Sequence, residues 1–291
     1  MFDYNQAFDR NKGWLTREEQ DALKNATVAI AGVGGAGGNQ ALDLARLGVG
    51  GFKIADPDCY ELTNFNRQAG ANMATLGRRK VDVIRDMILA INPEAKVEVF
   101  PDGISSANID RFLDSIQVVM DGVDFYQMPI KVMLFDKSRA KGLTVVTCCP
   151  LGFGATLIVF TPQGMSFRNY FDLSETDTPE DVSLKFLAGL SPSFLPLCYV
   201  NKKEAFDPKA KRGGSVSPGL TLVGSLSVTE AAKVLTGKGR LFPAPHVWEI
   251  DMLTRRTRIS YFAFGMKSPW QRLKRAVLSK VMRPKASSTP Q

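Results

Sequence analysis

Four glycines lie at a spacing that could bind a phosphate. Gly32, Gly34 and Gly37 fit the pattern G-x-G-x-x-G, and Gly35 lies within the same turn. In this pattern a buried strand turns tightly into a helix, so that backbone N–H groups and the helix N-terminus face phosphate oxygens. NAD, FAD and ATP all suit the pattern. The identity of the nucleotide therefore depends on residues elsewhere in the chain.

Acidic residues follow two of the predicted strands. Asp56 lies 19 residues after Gly37, where its carboxylate could accept hydrogen bonds from ribose hydroxyls, and Asp58 comes two residues later. Asp121 and Asp124 belong to the stretch "VMDGVD" at the end of a later strand. Carboxylate oxygens in that position could hold a magnesium ion against phosphates.

Basic and amide side chains distinguish between the nucleotides. The stretch "ELTNFNRQAG" brings Arg67, with Asn64 and Gln68, back toward the glycine turn, and Lys80 starts the next helix. An Arg and a Lys near a phosphate turn suit a triphosphate, whose departing charge needs fixed positive partners. A redox dinucleotide needs no such pair. The residues therefore favour ATP.

The elements that must position these residues alternate between strands and helices. Thr16 and Glu19 form a capping box that predicts a helix start, and a strand follows at 27–31. Further helices are predicted at 39–47, 81–91, 107–113, 130–141 and 220–235, with strands between them. This order predicts an α/β fold, a Rossmann-like open, mostly parallel sheet with helices on both faces and a C-terminal antiparallel extension. Its ligand belongs at the carboxyl ends of the strands.

Composition limits the class of protein. The 291 residues are 44% apolar, so the chain can bury a large core. The polar start and the interrupted apolar stretch at 142–167 predict neither a leader nor a membrane span, and therefore a cytoplasmic protein. The four cysteines, which form no C-x-x-C pair, predict reduced thiols and no zinc site (Cys59, Cys148, Cys149 and Cys198). The lone histidine, His246, is expected to be structural. A net charge of +8 favours anionic partners.

The last 27 residues differ in composition from the rest. Residues 1–264 are expected to form one domain with a long excursion at about 165–214, and residues 265–291 a basic helix and a disordered tail. The apolar residues of this helix recur at helical spacing (Trp270, Leu273, Val277 and Val281) among basic ones (Arg272, Lys274, Arg275, Lys280 and Arg283). Such a helix could pack on the domain, or contact RNA or a membrane surface as a peripheral protein does.

The conjunction of motifs resembles a known family. The series "GVGGAGG…GVGGFKIADPD…TNFNRQ…GRRKVDV…INPEAKV…VMDGVD…TVVTCCPLGFGATL" is similar, in order and spacing, to the ThiF/MoeB/HesA family of ubiquitin-activating-enzyme-like adenylyltransferases, over about residues 10–260. The resemblance implies ATP, Mg²⁺ and a homodimer that adenylates a carboxylate, typically the C-terminus of a small β-grasp carrier protein. It assigns Asp56 to the ribose, Asn64, Arg67, Gln68 and Lys80 to the phosphates, Asp124 to magnesium, and Arg10 to a nucleotide across the dimer interface.

The chain also departs from that family. The zinc-binding C-x-x-C pairs of many members are absent, and Phe125 stands where the family often has Asn. The stretch "DPKAKRGGSVSPGLTLVG" lacks the cysteine with which some members form a thioester, so adenylation could be the whole reaction, with Cys198 as a possible substitute. A tRNA-modifying dehydratase, a non-catalytic nucleotide-binding scaffold and an NAD oxidoreductase are the alternatives.

Overall fold

One eight-stranded sheet runs through the protein. The computed structural model describes residues 1–193, 195–200, 206–207 and 212–282. The strands are β1 Thr27–Ala31, β2 Gly51–Ala55, β3 Lys96–Phe100, β4 Val118–Asp121, β5 Thr144–Leu151, β6 Gly154–Phe160, the short pair β7 Phe206–Asp207 and β8 Arg212–Gly213, β9 His246–Asp251 and β10 Arg256–Tyr261. The main sheet has the order β10-β9-β6-β5-β4-β1-β2-β3. Its pairs from β3 to β5 are parallel, and those from β5 through β6 and β9 to β10 are antiparallel. The predicted fold class is confirmed.

Helices flank the sheet. They are α1 Tyr4–Ala7, α2 Arg17–Asn25, α3 Gly35–Leu47, α4 Lys80–Ile91, α5 Ile109–Phe112, α6 Met128–Ala140, α7 Phe167–Phe171, α8 Pro179–Leu190, α9 Ser217–Thr236 and α10 Pro269–Met282. Buried residues of α3, α4 and α9 form one apolar cluster, and those of α5, α6, α7 and α8 form another. Because strand side chains alternate between the two faces, each face of the sheet buries its own cluster.

The connection between β1 and its two neighbours creates the crevice in which a ligand is expected. β1 pairs with β2 on one side and with β4 on the other. The strand order therefore reverses at β1: β2 and β3 lie on one side of it, and β4 and β5 lie on the other. In open α/β sheets the crevice at this reversal, outside the carboxyl ends of the strands, is where ligands bind.

The predicted excursion at about 165–214 contains more regular structure than its weak periodicity indicates. α7, α8 and a 3-10 turn at Leu195–Cys198 lie within it. Thr178 starts α8 with a capping box to Asp181, a local signal that the prediction did not use. The expected disorder after Pro284, and the side chains of Val277, Lys280 and Val281, lie outside the described residues, as does Arg283. Among the helices of the described ranges, none is long and apolar enough to cross a bilayer.

Candidate nucleotide site

The loop after β1 and the loop after β4 touch at the point where the strand order reverses. Gly32, which follows β1, has φ +82°, and its carbonyl oxygen would lie 1.8 Å from a Cβ at Gly37 and 2.3 Å from a Cβ at Gly122. Only hydrogen can occupy these two positions, because a carbon atom needs more than 3 Å from backbone oxygen. The glycine turn after β1 and the turn after β4 are therefore in direct backbone contact.

The helix that follows the turn begins without a side-chain cap. Gly34 is the N-cap of α3 and supplies no side chain to its first N–H groups. The carboxamide of Gln68 lies alongside, since a Cβ at Gly34 would be 3.5 Å from Gln68 Nε2. Gln68 is only 8% exposed, and among the described residues its Oε1 has no hydrogen-bond partner. The open N–H groups suit an anionic ligand, and the unpaired Gln68 oxygen could accept a hydrogen bond from a donor on that ligand, such as a hydroxyl.

Asp56 and Asp58 occupy the carboxyl end of β2 and perform different tasks. Asp56 accepts hydrogen bonds from the N–H of Val33 at 2.8 Å and from that of Asp58 at 3.0 Å. Burial raises the pKa of Asp56, and the charge of Lys80 offsets part of that rise. Asp58 forms an ion pair with Lys80 at 2.8 Å, and the Lys80 side chain is 7% exposed. The pair fixes the ammonium group at the carboxyl end of β2, close enough to Asp56 for its charge to act on that carboxylate.

The loop that contains Arg67 is held by its own polar groups. Arg67 Nη1 donates to the Thr63 carbonyl at 2.8 Å and to Asn66 Oδ1 at 2.9 Å. Asn66 in turn donates from Nδ2 to the Ser215 carbonyl at 2.9 Å, which joins this loop to the segment before α9. Asn64 Oδ1 accepts the Glu61 N–H at 3.0 Å, so its oxygen shapes the loop.

The two acids of "DGVD" have opposite environments. The Asp121 side chain is 0% exposed, and Lys131 Nζ lies 2.7 Å from both of its oxygens, with Thr147 Oγ1 at 2.6 Å. Asp121 thus anchors the turn, and its lone pairs are engaged within the fold. Asp124 is exposed, and its Oδ1 accepts the N–H of Tyr126 at 2.7 Å. Of the two, Asp124 is the carboxylate open to a ligand.

Sequence reasoning did not find Lys131. It is 1% exposed, on α6 between Ile130 and Val132, in an otherwise apolar part of the helix. A charged residue among apolar neighbours is the signal that could have found it, because a buried ammonium needs an anionic partner.

Arg10 lies apart from the site of its own chain. Its neighbour Asn11 donates from Nδ2 to the carbonyl of Leu47 at 3.3 Å, at the C-terminal end of α3. The glycine turn is at the opposite end of this 13-residue helix, about 20 Å away by helix geometry.

The cysteines and the histidine lie outside the glycine-turn contacts. Cys59 and Cys198 are exposed, and burial raises the pKa of Cys149 to about 11. His246 Nδ1 lies 3.0 Å from the Pro243 carbonyl, between the rings of Phe242 and Tyr261. Over the ranges that the structure describes, no group of three or more His, Cys, Asp or Glu side chains could hold a metal ion.

The sequence is similar to those of known proteins. The sequence model of the ThiF family matches residues 8–269. The tRNA threonylcarbamoyladenosine dehydratase of Bacillus subtilis is 38% identical over 127 residues, which cover 43% of this chain and 50% of the relative. The probable adenylyltransferase/sulfurtransferase MoeZ of Mycobacterium tuberculosis is 29% identical over 223 residues, 76% of this chain and 50% of the relative. The chain thus spans about half the length of these curated relatives.

Solved structures share the fold. E. coli MccB, determined with ATP, superposes with a TM-score of 0.64 at 18% identity and covers 87% of this chain, which covers 68% of MccB. PaaA superposes with a TM-score of 0.64 at 20% identity, over 89% of this chain and 72% of PaaA.

Proposed function

Because the chain belongs to the ThiF family, we propose that it is an adenylyltransferase that uses ATP to activate a carboxylate. The observation that carries this proposal is the convergence of three loops on one uncapped helix start. Gln68 lies against Gly34, Asp56 binds the N–H of Val33, and the turn of Gly122 touches Gly32. Adenylyltransferases among the relatives, and MccB determined with ATP, support the choice of nucleotide.

The proposed reaction is a displacement at phosphorus. A carboxylate oxygen attacks the α-phosphorus of ATP, an O–P bond forms, and the bond between the α-phosphorus and the oxygen bridging to the β-phosphate breaks. Pyrophosphate leaves, and an acyl-adenylate remains. No general base is needed, since the carboxylate is already ionised near neutral pH. The attacking and departing groups are both anionic, so the barrier falls when fixed cations surround the phosphates.

The cations of this chain are assigned accordingly. Lys80, held by Asp58, and Arg67, held by Thr63 and Asn66, are the fixed positive partners of the phosphates. Asp124 is the exposed carboxylate that would hold Mg²⁺, and the ion would offset charge on the phosphates. Asp121 was expected beside it as an oxygen ligand; its engagement with Lys131 assigns it the task of fixing the turn.

Arg10 is assigned to the nucleotide of a second subunit. Its position near the C-terminal end of α3 separates it from the glycine turn of its own chain by the length of the helix. In a homodimer, the same residue of the partner could complete the site. Arg10→Ala would then impair catalysis without changing the folding of its own subunit.

The acceptor is proposed to be the C-terminal carboxylate of a small carrier protein or peptide. Adenylyltransferase/sulfurtransferases such as MoeZ are among the relatives. No cysteine occurs in residues 207–224, so we propose that the acyl-adenylate itself is the product. A second candidate acceptor is a carboxylate on a modified tRNA, which the match to tRNA threonylcarbamoyladenosine dehydratase favours.

ATP–pyrophosphate exchange tests the proposal. Purified protein is incubated with ATP, Mg²⁺ and labelled pyrophosphate, with either glycine-ended carrier proteins or tRNA that carries threonylcarbamoyladenosine. We expect label to enter ATP only with the true acceptor. Asp124→Ala should lower the exchange rate about 100-fold or more, because it removes the metal carboxylate.

The matched control is Asp102→Ala, another exposed acid just beyond the carboxyl end of a strand. It should leave the rate unchanged. ATP binding without exchange under either acceptor would indicate a nucleotide-binding scaffold. Nicotinamide absorbance in the purified protein, with binding that tolerates Arg67→Ala, would indicate an oxidoreductase.

A further inference from the structure

Helix α10 docks on the domain through its polar side. Gln271 is 3% exposed, Lys274 Nζ donates to the Pro192 carbonyl at 2.7 Å, and Arg275 pairs with Asp172 at 3.2 Å. Positions 271, 274 and 275 share one face of a helix. The orientation of α10 is therefore fixed by these contacts, with that face toward the domain.

Apolar side chains remain on the outside. Trp270 is 63% exposed and Leu273 is 55% exposed, three residues apart on α10. Phe264, in the turn that leads into the helix, is 71% exposed. A helix that needed only to pack on its own domain would bury these residues and expose Gln271. The docking is the reverse of that arrangement.

Positive charge is concentrated in the same segment. Residues 265–291 contain seven of the 37 basic residues and none of the 29 acidic ones. Seven of the eight net positive charges of the chain therefore fall in its last 27 residues, and the rest of the chain carries one. Arg272 and Lys267 are exposed beside the apolar side chains.

We propose that α10 and the turn before it bind the surface of an anionic membrane. Trp270, Leu273 and Phe264 would enter the interface between headgroups and acyl chains, and the cations around them would bind anionic headgroups. Nucleic acid would use the cations but gain little from the aliphatic Leu273, so the combination favours lipid over RNA. Docking through Gln271 and Arg275 leaves the apolar side facing outward for this purpose.

Vesicle flotation of the full-length protein tests the proposal. We expect the protein to float with phosphatidylcholine vesicles that contain about 30% phosphatidylglycerol and not with pure phosphatidylcholine, and to lose binding in about 0.5 M salt. The double variant Trp270→Ser/Leu273→Ser should bind about tenfold more weakly or worse, because two interfacial side chains are lost.

The matched control removes the same residue types elsewhere. Trp14 is 81% exposed and Leu253 is 54% exposed, and Trp14→Ser/Leu253→Ser should bind vesicles as the parent does. Equal loss in both double variants, no flotation with either lipid, or binding to tRNA but not to anionic vesicles would overturn the proposal. A lower oligomeric mass of Trp270→Ser/Leu273→Ser in light scattering would assign the surface to self-association instead. Vesicle binding needs neither ATP nor an acceptor, so its failure is distinct from failure of the proposed reaction.

Discussion

The sheet has a parallel half, from β3 to β5, and an antiparallel half of β6, β9 and β10, and each contains a buried acid. The two acids differ in how many of their oxygens have hydrogen-bond partners. In the parallel half, Asp121 on β4 meets Lys131 and Thr147, and both of its oxygens are engaged. In the antiparallel half, Glu249 on β9 is 2% exposed; its Oε1 accepts the Ser193 N–H at 3.1 Å, but within the described residues its Oε2 has no partner. Burial raises the pKa of Glu249, and hydrogen bonds from Ser193 and nearby cations offset part of that rise.

The two halves also differ in how closely their segments pack. In the parallel half, Gly32, Gly37 and Gly122 meet at distances that admit no side chain. In the antiparallel half, α10 docks through polar contacts such as Arg275 to Asp172, and Trp270 remains exposed. The half that contains the candidate nucleotide site is thus held in one arrangement by backbone contacts, whereas the other half leaves apolar side chains of α10 exposed. Substitutions should be costly in the first and mild in the second.

The largest effect is expected from Lys131→Met. Removal of the ammonium leaves the Asp121 carboxylate buried without its cation, which should lower the free energy of unfolding by about 3–5 kcal/mol. Urea denaturation measures it. Lys137→Met provides the control on the same helix, since the Lys137 side chain is 47% exposed beside Asp110. Equal losses of unfolding free energy in the two variants would contradict a special contribution of the buried Lys131–Asp121 pair to stability.

A somewhat smaller loss is expected from Gly37→Ala. The added methyl would lie 1.8 Å from the Gly32 carbonyl oxygen, so the backbone must shift, at a cost of about 2–3 kcal/mol in unfolding free energy. Thermal or urea unfolding measures it. In Gly34→Ala the new Cβ would be 3.5 Å from its nearest neighbour, Gln68, and stability should change far less. A Gly37→Ala protein as stable as the parent would contradict the close contact of the two turns.

The smallest effect, and one of opposite sign, is expected from Glu249→Gln. Because the pKa of Glu249 is raised in the folded protein, the folded state holds its proton more tightly than the unfolded state does. The stability that this group contributes is present at low pH and is lost as pH rises through the folded pKa. The Gln variant, which has no charge to bury, should therefore unfold at slightly higher urea than the parent at pH 7, with the difference vanishing near pH 4. A variant less stable than the parent at pH 7 would contradict the prediction that burial of this carboxylate lowers stability.

Local signals in the sequence predicted much of the parallel half. The limits of β1 at Thr27–Ala31 are confirmed, and the capping box of Thr16 and Glu19 starts α2 with both of its hydrogen bonds. Asp56 and Asp121 come at the carboxyl ends of their strands as predicted. These features depend on residues near in sequence, and parallel strands buried on both faces have an unmistakable apolar pattern.

Features that depend on distant partners were not predictable. Asp121 lies only ten residues before Lys131, but the sequence does not indicate that the two side chains pair, because the contact forms only in the folded structure. The apolar spacing of Trp270 and Leu273 predicted an amphipathic helix but not which side docks, since Asp172 and Pro192, which fix its orientation, are about 80 to 100 residues away in the chain. The roles of Arg67, Lys80 and Asp124 in catalysis stay predictions.

The contact of Gly32 with Gly37 and Gly122 constrains how nucleotide preference can be redesigned. The Gly32 carbonyl oxygen occupies the space that a side chain at Gly37 or at Gly122 would need. Because this oxygen belongs to the backbone, no substitution at the other two positions can remove the clash. In a combinatorial library that varies these positions, glycine should therefore be selected at all three, because any side chain there lowers stability. Altered preference for the sugar must be sought at a side chain outside these three positions, such as Asp56.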